Sequence, residues 1–97
     1  MERVTLEDVK EARNIIEDAI LKTDLLENVR LSEKTGAQVF YKCENLQRTG
    51  SFKIRGACNK IAHLTDQEKA CGVIASSAGN HAQGVALGAK NAGIKAT

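Results

Sequence analysis

A lysine amine does covalent chemistry only when it is uncharged and held in place, and the setting of one lysine in this sequence raises the expectation of both. Lys53 lies in Gly50-Ser51-Phe52-Lys53-Ile54-Arg55-Gly56-Ala57. Arg48, Thr49 and Gly50 interrupt the pattern ahead of it. Ser51 is a good N-cap, with a hydroxyl able to accept from a backbone N–H two or three residues on. Phe52, Ala57, Ile61 and Leu64 then recur at helical steps and predict a helix ending near Leu64. Lys53 therefore falls in the first turn, at the positive end of the macrodipole and close to Arg55. Both neighbours disfavour the ammonium, and the neutral amine is the form that Schiff-base chemistry requires. The same spacing also describes an ordinary solvated lysine, so the motif needs context.

A second stretch, Ser76-Ser77-Ala78-Gly79-Asn80-His81, sits between a short apolar run and a helical pattern. The junction after a strand is where open α/β sheets bind ligands. Small residues let backbone N–H groups approach an anion, and the helix N-terminus that follows favours negative charge. Asn80 adds a neutral donor and His81 a further one. Taken alone, the stretch is also what a plain β–α turn looks like.

The elements that must position these two stretches can be taken in order. Thr5 and Asp8 form a capping box, and Val9, Ala12, Ile16, Ala19 and Ile20 predict an amphipathic helix running to Leu21. Thr23 to Arg30 reads as irregular. Leu31 to Lys34 suits one helical turn closed by Gly36, and Ala37 to Glu44 a strand. After the lysine helix, Thr65 and Glu68 make a second capping box, starting a short helix that stops by Gly72. Val73-Ile74-Ala75 reads as a buried parallel strand. His81 to Ala92 is helical with Gly93 closing it, and Ile94 to Thr97 begins another strand. Alternating strands and helices imply βαβ units, hence an α/β fold with an open sheet.

Composition narrows the function classes. The net charge is +2 over 97 residues with both signs interspersed, which leaves no electrostatic footprint for nucleic acid. No apolar run reaches membrane-spanning length, and Met1-Glu2-Arg3-Val4 starts no signal peptide. Cys43, Cys58 and Cys71 have neither paired nor zinc-like spacing, so no metal site is expected; they read as reduced thiols used in packing in a cytoplasmic protein.

Taken together the two stretches are far more specific than either alone. Glu44-Asn45-Leu46-Gln47-Arg48-Thr49-Gly50-Ser51-Phe52-Lys53-Ile54-Arg55-Gly56-Ala57 resembles the lysine segment of the threonine dehydratase and serine racemase group. These are pyridoxal 5'-phosphate enzymes of fold type II, the tryptophan-synthase-β-like class. Ser76 to Gly84 resembles the same group's substrate-carboxylate loop. The resemblance extends over essentially the whole chain and implies that residues 1–97 are the N-terminal portion of a pyridoxal-phosphate-dependent catalytic domain, truncated before the rest of it. It implies that Lys53 binds the cofactor aldehyde and later removes the substrate α-proton, that Phe52 stacks near the cofactor ring, and that Asn80 hydrogen-bonds the cofactor 3-hydroxyl. Ser77, Ala78, Gly79, Asn80 and His81 would hold the amino acid carboxylate. The activity implied is conversion of L-threonine to 2-oxobutanoate and ammonia, a reaction of isoleucine biosynthesis, by a protein that is a homo-oligomer at full length. Cysteine and threonine synthases carry an acidic residue soon after the lysine, where this chain has Ile54-Arg55-Gly56. Serine racemases carry a second serine before the Gly-Asn-His; Ala78 stands there and cannot accept a proton, which favours dehydration. A serine dehydratase, a racemase, or a non-catalytic interaction module using the first helix are the other readings; intact Lys53 and Asn80 argue against the last.

Overall fold

The computed structural model describes residues 2–97. Their elements are α1 (Leu6–Ile16), β1 (Leu25–Glu27), α2 (Val29–Thr35), β2 (Phe40–Lys42), α3 (Lys53–Ala62), α4 (Asp66–Cys71) and α5 (Asn80–Ala92), with a 3-10 turn, Glu44–Leu46, between β2 and α3.

The capping boxes form as expected. Thr5 Oγ1 accepts from Asp8 N at 3.2 Å while Asp8 accepts from Thr5 N at 2.7 Å, and Thr65 and Glu68 repeat the arrangement at α4. Each carboxylate is held below its usual range, chiefly by the backbone N–H it accepts. The helix predicted to reach Leu21 stops at Ile16, where Ala19 N turns back to Ile16 O at 2.9 Å. Its next turn is claimed by a distant residue: the Gln47 side chain takes both main-chain groups of Leu21, accepting at 2.7 Å and donating at 2.9 Å. Tertiary pairing there overrides a valid helical pattern.

The segment read as irregular contains β1, which pairs antiparallel with β2 in the register Leu26↔Tyr41. Asn28 bridges the two: it accepts from Leu31 N at 2.8 Å to cap α2 and donates its own N–H to Val39 O at 2.8 Å. Gly36 ends α2 with φ 73°, as predicted. The strand expected over Ala37 to Glu44 contracts to Phe40–Lys42.

Val73 pairs in parallel with Ala96, through Val73 N to Lys95 O at 2.9 Å and Thr97 N to Val73 O at 3.0 Å. The expected direction is therefore present, but the buried strand is not. Ile74 is 85% exposed, while Val73 and Ala75 on the opposite face are half-buried. Gly72 is required at its start: its φ is 82°, and a Cβ there would lie 2.6 Å from Lys95 O.

Packing centres on α3, which lies between α1 and α5. Ile16, Ile54 and Cys58 form the buried centre, with Ala19, Ile20 and Leu87 against it. The apolar face of α3 is thus Ile54, Ala57, Cys58 and Ile61 rather than the predicted Phe52, Ala57, Ile61 and Leu64. Phe52 precedes the helix and stands exposed. Of the three cysteines only Cys58 is buried, which pushes its thiol up; Cys43 is half-buried and Cys71 exposed, so packing explains one of them. These mixed helices and short strands are the α/β class expected. No helix is long and apolar enough to cross a membrane among the described residues.

Candidate active site

Lys53 is the first residue of α3. The chain reaches it through Gly50, which turns at φ 72° with its N–H on Gln47 O at 2.8 Å. Ser51 was the expected cap, but Phe52 occupies the cap position and Ser51 Oγ lies 3.4 Å from Lys53 N, too long to be a strong bond. The amine of Lys53 stands 5.3 Å from the centroid of the Phe52 ring.

Two fastenings hold the segment leading to this lysine. Gln47, 5% exposed, ties it to Leu21. Glu44 accepts both Nε and Nη2 of Arg55, the latter at 3.1 Å, and also the Thr23 hydroxyl at 2.5 Å. The Arg55 guanidinium is the main reason that the Glu44 carboxyl falls to about 2, and Glu44 in turn raises Arg55. Arg55, two residues past Lys53, thereby has its charge met on the side of the 3-10 turn.

The helix that carries the second stretch packs directly against this one. A Cβ built at Gly84 of α5 would lie 3.1 Å from both Ile54 N and the Lys53 carbonyl carbon, and one at Gly88 would lie 3.1 Å from Ile61 Cδ1. Glycine at these two positions lets the helices approach closely, and at Gly84 the neighbouring atoms are main chain. Gly84 is one turn past Asn80, so the start of α5 is brought beside the start of α3.

A cleft of about 490 Å³ opens between them. Phe52, Lys53 and His81 line it together, with Arg55 and Lys60 supplying further positive charge and Ile74 part of the apolar wall. Ser77, Ala78 and Gly79 on the adjoining loop, and Asn80 at the head of α5, are exposed and lie outside the walls of that cleft. Within the loop Gly79 N donates to Ser77 Oγ at 3.3 Å.

Capping separates these helices from the others. Side chains of Thr5, Asn28 and Thr65 close the N-termini of α1, α2 and α4. Neither α3 nor α5 has a capping side chain, but at α3 Arg55 N bonds Phe52 O at 3.0 Å and Ile54 N is buried against Gly84, so the first turn left open to a ligand is that of α5. An amine for an aldehyde, an aromatic ring and apolar wall for a flat ring, and cations with an open helix end for anionic groups form a donor set that fits pyridoxal phosphate.

Sequence reasoning named Lys53, Phe52 and His81 in this cleft. It gave no role to Glu44, Gln47 or Gly84, although all three lie within the stretches it singled out. Only the contacts across 21 and 26 residues, from Glu44 to Thr23 and from Gln47 to Leu21, reveal what they do.

Comparison with known proteins gives a consistent picture. The chain is 57% identical over 94 residues to an L-threonine ammonia-lyase of Thermotoga maritima and 57% identical over 95 residues to a catabolic L-threonine dehydratase of Staphylococcus aureus. Each comparison covers 97% of the chain, which spans only 23% and 28% of those proteins. Among solved structures, a serine racemase from Dictyostelium discoideum superposes with TM-score 0.88 and 47% identity, covering 96% of this chain and 30% of that one. The T.th. threonine deaminase superposes with TM-score 0.82 and 40% identity, covering 97% and 33%. Residues 16–97 match the family described as pyridoxal-phosphate dependent enzyme. With that match over most of its length, and the fold of its structural neighbours, the chain belongs to the pyridoxal-phosphate dependent enzymes.

Proposed function

We propose that residues 1–97 are the N-terminal part of the catalytic domain of a threonine dehydratase, which converts L-threonine to 2-oxobutanoate and ammonia. The observation that carries this reading is that Lys53 and Phe52 at the start of α3 and His81 in the first turn of α5 line one cleft. Two relatives named for threonine deamination, each at 57% identity, support it.

Lys53 would hold the cofactor, which when bound supplies the sink for the electrons left as the substrate α-proton departs. The same amine would take that proton as a base. Phe52 would flank the cofactor ring, and Asn80 would donate to its hydroxyl. Main-chain N–H groups of residues 77–81 would bind the substrate carboxylate; His81 lines the same cleft as Lys53. The β-hydroxyl leaves as water and water returns on hydrolysis, so threonine yields 2-oxobutanoate and ammonia. Ala78 has no group that carries a proton, which favours elimination over racemisation despite the likeness to a serine racemase. Under the same reading the full-length protein is a cytoplasmic homo-oligomer that acts on a free amino acid.

Replacing Lys53 by Ala in the full-length protein should abolish 2-oxobutanoate formation from threonine; retained production refutes the reading. Chiral analysis of serine after incubation tests the racemase alternative, and accumulation of D-serine would move the assignment there.

A further inference from the structure

The two glycines of α5 that face α3 meet different things. At Gly88 the nearest atoms are the Ile61 Cδ1 methyl at 3.1 Å and Cys58 Sγ at 3.4 Å, both ends of side chains that can turn aside. At Gly84 all three are main chain: Ile54 N and the Lys53 carbonyl carbon at 3.1 Å, and Lys53 O at 3.2 Å. Main chain in the first turn of a helix yields only if the turn itself moves. Ile54, with no exposed surface, anchors that turn from below, and Ala89, 1% exposed, fixes α5 farther along. A methyl at position 84 must therefore shift the start of α3 away from the start of α5 by a few tenths of an ångström.

We propose that Gly84 is a positioning residue for Lys53: the missing side chain sets the distance between the lysine amine and the open N-terminus of α5. This rests on the reading of Lys53 as the cofactor-binding amine. Gly88 performs only packing. Geometry of this kind governs reactivity steeply, since a misplacement of about 1 Å can lower a rate by about a hundredfold.

The test compares wild type, Gly84→Ala and Gly88→Ala. Each folded full-length protein is incubated with pyridoxal 5'-phosphate and reduced with borohydride, and labelled peptides are quantified by mass spectrometry. The exposed residues Lys10, Lys34 and Lys90 serve as internal references. Urea unfolding measures stability alongside. Wild type should label Lys53 in preference to the references. Gly88→Ala should stay close to wild type in labelling, whatever its stability, whereas Gly84→Ala should lose about threefold or more at Lys53 with the references unchanged. Equal labelling in Gly84→Ala and wild type, or an equal loss in Gly88→Ala, overturns the proposal while leaving the function intact. Absence of any Lys53 preference in wild type instead refutes the functional reading and this proposal with it. Should Gly84→Ala fail to fold, amide exchange in wild type decides. Label at Lys53 should slow exchange in residues 80–84 and not in α1, and unchanged exchange at 80–84 overturns the proposal.

Discussion

Glutamine in place of Glu44 tests how the segment carrying Lys53 is held. The Glu44 carboxyl lies at about 2 in the folded chain against 4.5 for the free side chain. Each pH unit between folded and unfolded values corresponds to about 1.36 kcal/mol, so the carboxylate contributes about 3 kcal/mol at neutral pH. Its side chain is 13% exposed and that of Arg55 33%, so solvent trims this only modestly. A folded value below the unfolded one stabilises above about 4.5, and the contribution drains away as pH falls toward about 2. Glutamine keeps the shape but not the charge, and leaves Arg55 without its counterion. Urea unfolding followed by circular dichroism should find the variant less stable by about 3 kcal/mol at pH 7, shrinking to about half that near pH 3. Asp8 and Glu68 are also held below their usual values by backbone N–H groups, but both proteins share them and the difference cancels their effect. A gap that stays constant from pH 7 to pH 3 would show that the ion pair is not its source.

Two further outcomes follow from packing and from the share of the relatives that the chain spans. Truncating Ile54 to Ala removes the fully buried side chain beneath Lys53 and should lower stability by about 2–5 kcal/mol; a shift in urea midpoint worth under about 1 kcal/mol would place the core elsewhere. The isolated 97-residue chain should hold pyridoxal phosphate weakly and show negligible turnover, and a strong cofactor absorbance band with steady ammonia release would contradict that.

The legible parts of the fold were those decided within a few residues. Both capping boxes, the Gly36 and Gly93 stops and the limits of α4 follow from side chains bonding to backbone three residues away or from glycine at a left-handed position. The illegible parts were decided at a distance. Nothing near Leu21 says that Gln47 will unwind the end of its helix, and Leu25-Leu26-Glu27 becomes a strand only because β2 lies beside it. Phe52 fits an apolar stripe by type, yet the true stripe begins at Ile54 because the helix starts one residue later. The site divides in the same way. Lys53 and His81 announce themselves by chemistry, while Gly84 matters through an atom it lacks, which no pattern of residue types displays.

The open N-terminus of α5, beside an α3 that also lacks a side-chain cap, changes what a bound molecule is thermodynamically. An N-cap stabilises a helix by about 1 kcal/mol, and two helices that meet at the cleft lack one. An anion settling there finishes secondary structure that the chain leaves incomplete, so ligand affinity and conformational order become one linked quantity. Tightening these ends with built-in serine or aspartate caps would make a steadier protein that has less to gain from its own ligand.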